Sequence, residues 1–199
     1  MTHSSVNIMK IWIALTFAAL SINAAGFAFA AGSPELEGHQ KKLRLTKEPE
    51  KVQQVLDVQK TLAALRSKPG AAGETHDVVI RGQIGGMPNI WPEMHPNFPW
   101  YEKQASFFVV DSKIAAQFAA HSKQHGGSHN CAFCQSLAER NANAIAVVNM
   151  VDERGEIIPI DSRELLGLKE KQTVVIRGKA KLLGGSMLVI DADGIYTRR

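Results

Sequence analysis

Cysteine is nearly absent from this chain of 199 residues: it has two, Cys131 and Cys134. That excludes a multi-disulfide framework and any zinc module that needs two C-x-x-C pairs. No serine-nucleophile motif is present. Gly82, Gly85 and Gly86 lack both the G-x-G-x-x-G spacing and the following helix of a phosphate loop. Asp191 and Asp193, in "IDADG", lack the other ligands and the terminal glutamate of a calcium loop, and read as a turn into a last strand. A dominant charge sign is missing too. The formal net charge is +4, with signs mixed through "RLTKEPEKVQQ", "DERGE" and "RELLGLKEK". Nucleic-acid binders gather positive charge on one face, so that partner is disfavoured. Arg81, Arg177 and Lys179 read as solvated residues at a sheet rim.

Long apolar runs are scarce as well. One occurs, "IWIALTFAAL" at Ile11–Leu20, after Lys10 and before the small-residue stretch "AFAAG". This is the layout of a secretory leader cleaved after Ala30. The alternative is an uncleaved N-terminal anchor, although the run is short for a span of about 20 apolar residues. No cysteine stands at its end, which argues against lipid modification. No second such run exists, so no transmembrane segment is expected after cleavage. The expected location is periplasmic or secreted, where the two cysteines meet an oxidising medium.

The expected organisation is a leader over 1–30, an N-terminal part over 31–75 and a main domain over 76–199. Residues 31–45 are polar and read as a flexible lead-in. Helical spacing of Val52, Val55, Leu56, Gln59, Leu62 and Ala63 predicts a helix that starts between Thr46 and Pro49 and ends near Leu65–Lys68. "KPGAAGE" at Lys68–Glu74 is a linker. Strands are predicted at His76–Gly86, Ala105–Asp111, within Ala144–Ile160, at Thr173–Ala180 and at Met187–Ile190, with another at Gly194–Thr197. Repeated proline makes "MPNIWPEMHPNFPWYEKQ" an ordered loop. An insertion over 112–142 carries two short helices, the first with Ile114, Ala115 and Phe118 inward. Asp161 is placed to cap a short helix in "DSRELLGL". The pentapeptide V-V-I-R-G occurs at Val78–Gly82 and again at Val174–Gly178, which suggests similar places in a curved sheet.

These features predict a mainly β chain: a small OB-like barrel with a helical insert and an N-terminal helix. "WYEKQA" at Trp100–Ala105, the His-rich run into "CAFC" and the closing "DGIY" at Asp193–Tyr196 carry a further likeness. Over about His76–Arg199 the chain resembles a family of small exported bacterial OB-fold-like proteins with a His-rich CxFC insertion. The resemblance implies the fold and export; it implies no activity.

The chemistry concentrates in "HSKQHGGSHNCAFC", from His121 to Cys134. Two cysteines at C-x-x-C spacing can share a metal or form a disulfide. His121 and His125 lie one helical turn apart, and His129 stands two residues before Cys131. Cys131, Cys134, His129, His125 and His121 therefore make a candidate ligand set for zinc, with copper favoured by sulfur. Asp111 or His95 are candidates for a further, open coordination position. The metal would pin the insert, a structural or binding role that points away from catalysis.

Three other readings stay open. The pair can form a structural disulfide beside incidental surface histidines. If Cys131 opens the helix "CAFCQSLAER", the helix N-terminus favours its thiolate. The chain is then a thiol–disulfide redox or electron-transfer protein of the cell envelope. Alternatively, Trp91 and Trp100, with Phe98 and Tyr101 nearby, stack on a glycan, an oligonucleotide or a protein ligand.

Overall fold

The computed structural model describes residues 34–67, 73–124 and 132–198. The leader, most of the Lys68–Glu74 linker, and His125, His129 and Cys131 lie outside them.

Five strands close into a barrel: β2 (His76–Ile84), β3 (Ser106–Asp111), β4 (Ile145–Met150), β5 (Thr173–Leu183) and β6 (Met187–Thr197). They pair in the order β2-β3-β4-β6-β5, and β5 returns to β2. Neighbours are antiparallel except β4 and β6, which are parallel. Alternation sets the faces. Ile80, Phe107, Val148, Ile176 and Ile190 point inward and are fully buried.

The two V-V-I-R-G segments pair with each other, antiparallel and centred on Ile80 opposite Ile176. Each glycine lets another strand cross closely. A Cβ on Gly82 would stand 3.0 Å from that of Val109, and one on Gly178 would stand 2.7 Å from the Ala192 Cα. The register of β5 against β6 shifts between Arg177 and Gly178. That bulge keeps β6 continuous through Asp191 and Asp193, where the sequence suggested a turn. The Gly184–Gly185 turn forms as expected, with φ of 59° and 90°.

Among the described residues helices hold slightly more of the chain than strands do, so "mainly β" does not describe it. They are α1 (Pro34–Leu43), α2 (Val55–Arg66), α3 (Ser112–Gln124), α4 (Ala132–Arg140) and α5 (Ser162–Leu166). The segment read as a flexible lead-in is helical, and its Leu43 is buried in the barrel core. Local polarity misled there, because one apolar contact per turn suffices when a barrel supplies the other side.

After α1 the chain does not enter a helix at residues 46–49 but runs as a strap. The Leu45 N–H donates to the Ile195 carbonyl of β6 at 2.9 Å. Glu48 then accepts from Arg198 at 2.6 Å and from Arg81 of β2 at 3.4 Å. Gln53 and Gln54 form a short strand, β1, parallel to Ile80 and Arg81. The strap thus passes over β5 and leads into α2, which buries Val55, Val58, Gln59 and Leu62.

Candidate functional site

The insert between β3 and β4 does not hang free. Ile114, Ala115 and Phe118 of α3 and Ala138 of α4 join Phe108, Val110 and Ile145, the outward residues of β3 and β4, in a second apolar cluster. The loop over 87–104 covers the same face from the other side. Phe108 is fully buried beneath it, with ring centroids of Phe98 and Tyr101 both 5.1 Å away and Trp91 at 6.0 Å. Burial raises the Tyr101 phenol above its ordinary pKa. The Gln135 side chain donates to the Asn89 carbonyl at 3.4 Å and joins α4 to this loop.

This corrects the idea that a metal must pin the insert: apolar packing holds it. It also bears on ligand binding. OB barrels take ligands on the face of their second and third strands, which here are β3 and β4. That face is occupied by the chain's own helices and aromatic loop. Trp91 is part of the cover. Trp100 lies at the barrel end, paired with Phe107 and carrying the Arg163 guanidinium 5.6 Å above its ring.

Asp111 and His95 also have other employment. Asp111 is 1 % exposed, and its carboxylate accepts the Lys113 N–H of α3 at 2.9 Å and the Leu56 N–H of α2 at 3.2 Å. It caps both helices. Gln54, in the cap position of α2, makes no side-chain bond of that kind. His95 stands edge-on to Tyr101 at 5.2 Å and to Phe108 at 5.0 Å, inside the aromatic cluster.

The cysteine end of the insert is built on α4. Ala132 opens the helix, so Cys134 is its third residue and sits in the first turn. Its side chain faces inward and is 3 % exposed. Cys134 is disulfide-bonded, and the one other cysteine of the chain is Cys131. Phe133 points the opposite way and is 56 % exposed. The His121 ring lies 5.2 Å from it.

Of the five expected metal ligands, the described residues include His121 and Cys134. Among the described residues, no three His, Cys, Asp or Glu side chains come together to hold a metal ion. The zinc and copper expectation is therefore overturned. The chemistry agrees, since the ligand these metals need is a thiolate, and the Cys134 sulfur is committed to a disulfide.

Two cations of β5 are paired with acids of β6. Arg177 reaches Asp193 at 2.8 Å, and Lys181 reaches Asp191 at 2.8 Å. A groove of about 530 Å³ beside α1 is lined by Glu35, Asp152, Glu153 and Asp193 together with His39, Lys42 and Arg154, and Lys42 is paired with Glu153 at 2.7 Å. Among the described residues no helix is long and apolar enough to cross a membrane. Comparison with protein-family models, curated proteins and solved structures finds no match.

Proposed function

We propose that this chain is a thiol–disulfide exchange or electron-transfer protein of the cell envelope, acting through Cys131 and Cys134. The observation that carries the reading is the state and place of Cys134: in a disulfide, buried, in the first turn of α4. The secretory leader and the likeness to exported OB-fold-like proteins support the location.

The roles of the two sulfurs follow from burial. An incoming thiolate must approach along the S–S axis, and packing shields Cys134 from it. Attack therefore falls on Cys131, and Cys134 departs as thiolate. The positive dipole end of α4 favours that thiolate. Chain entropy gives the bond little structural purpose, because the loop it closes is tiny. The barrel and its second apolar cluster hold α4 in place while the bond opens and closes.

The test is the reduction potential, measured by equilibration with glutathione buffers and counting of alkylated thiols. A value above about −230 mV, in the range of exchange proteins, supports the reading. A value below about −300 mV marks a structural bond and removes it.

A further inference from the structure

The N-terminal arm, α1 and the strap, is tied to the barrel mainly by side chains. Among the described residues its backbone reaches the barrel through the Leu45 N–H on the Ile195 carbonyl and through the two-residue pairing of β1 with β2. A helix as short as α1 is marginal alone, so it depends on these ties. Leu43 is its buried apolar anchor. Leu45 rests on β6 at Gly194, where a Cβ would stand 2.9 Å from it.

Two carboxylate pairs hold the arm, one on the strap and one on α1. The Glu48 carboxylate accepts from Arg198 at 2.6 and 3.1 Å and from Arg81 at 3.4 Å. Arg198 is itself fixed by its backbone N–H on the Thr173 carbonyl at 3.1 Å. One carboxylate thus joins the strap to β2 and to the residue that follows β6. On α1, Lys42 donates to Glu153 at 2.7 Å. Arg44 adds a bond to the Leu166 carbonyl.

Acid turns this arrangement against itself. Residues 34–54 carry Lys41, Lys42, Arg44, Lys47 and Lys51, offset by Glu35, Glu37, Glu48 and Glu50. On the barrel side stand Arg81, Arg154 and Arg198. Once the carboxylates are protonated, cations remain on both sides. A histidine charges earlier as pH falls. Glu35 stands 3.9 Å from His39, and Asp152, Glu153 and Asp193 line the same groove. That charge therefore holds α1 until those acids are neutralised. The barrel lacks this dependence, because its strands close by backbone pairing around an apolar core. Its outer pairs, Arg177 with Asp193 and Lys181 with Asp191, are exposed and contribute little.

We propose that the arm is an acid-released device. Protonation of Glu48 frees the strap, α1 follows, and the barrel with α2 stays folded. Release opens the seat of Leu45 on Gly194 to solvent. The sign follows from the clasp. Arg198 holds the Glu48 carboxyl below its ordinary value, so the contribution is complete above about pH 4.3 and is lost as pH falls through the folded value.

Hydrogen exchange of the full chain, read by mass spectrometry as protection factors over 40–54 and 173–183, tests this. Protection over 40–54 should fall by about tenfold between about pH 6 and pH 3, as expected for losing hydrogen bonds to a charged group. Protection over 173–183 should hold. Glu48→Gln should show the lowered protection over 40–54 already at pH 6. Glu50→Gln, at an exposed carboxylate of the strap, should keep the parent's profile. Loss of protection in both segments together would mean global acid unfolding and would overturn the device. So would a Glu48→Gln profile that matches the parent, or a Glu50→Gln profile that matches Glu48→Gln.

Discussion

Replacing Asp111 tests whether one buried carboxylate really anchors the two helices that frame the site. Its two acceptor bonds reach first-turn N–H groups of α3 and α2, at 2.9 and 3.2 Å. Losing a helix cap costs about 0.5–2 kcal/mol. Two caps lost from a side chain 1 % exposed should place Asp111→Ala about 2–4 kcal/mol below the parent. Asp111→Asn keeps the shape and one acceptor oxygen but turns an N–H₂ donor toward the other N–H. Its cost should be about half as large. Native domains have about 5–15 kcal/mol in total, so both variants remain folded and measurable. Urea unfolding followed by circular dichroism reads the effect as a lower midpoint at constant m-value. An Asp111→Ala variant within about 0.5 kcal/mol of the parent would refute the double cap.

The remaining predictions concern the strap and the barrel seam. Arg198, bonded to the Glu48 carboxylate, holds the Glu48 pKa below its ordinary value, with Arg81 adding to the effect. A lowered folded-state pKa contributes stability above the unfolded value that is lost as pH falls through the folded one. The parent should therefore melt higher than Glu48→Gln near neutrality, and the gap should close as pH drops below about 4.3; a gap that is constant down to pH 3 would show that the carboxylate charge is not what holds the strap. In Gly178→Ala, the new methyl group would stand 2.7 Å from the Ala192 Cα, backbone that cannot swing aside. We expect a loss of more than about 3 kcal/mol or failure to fold, against about 1–2 kcal/mol for Gly184→Ser, which meets open space but must hold a φ of 59°, both read by thermal melting.

Much of the architecture was legible because local rules and tertiary needs agreed. Alternating Val and Ile marked the strands. Ile114, Ala115 and Phe118 marked the inward face of α3, and all three are buried. Asp161 caps α5 through the Arg163 N–H at 2.8 Å. Where the reading failed, the deciding partner lay far away in sequence. Residues 34–45 are polar, yet Leu43 finds the barrel and Arg44 donates to the Leu166 carbonyl at 2.9 Å. Asp111 looked like a spare metal ligand because nothing local says that two helix N-termini will converge on it. The acidic pair at Asp191 and Asp193 looked like a turn, but Asp193 is the extra residue of a bulge in β6 opposite Arg177 and Gly178, and pairing with β5 keeps the segment extended.

The candidate site divides in the same way. The C-x-x-C pair and the histidines that lead into it belong to the sequence alone. Spacing and residue type determine them, and no fold is needed to read them. Packing decided which side of α4 is covered. Cys134 is turned inward and Phe133 outward because α4 lies on the outer face of β3 and β4, where Phe108, Val110 and Ile145 must be kept from water. That same burial closes the face on which an OB barrel would hold a ligand. A hydrophobic surface made by strands distant in sequence has to be covered by something, and in this chain the insert and the aromatic loop cover it.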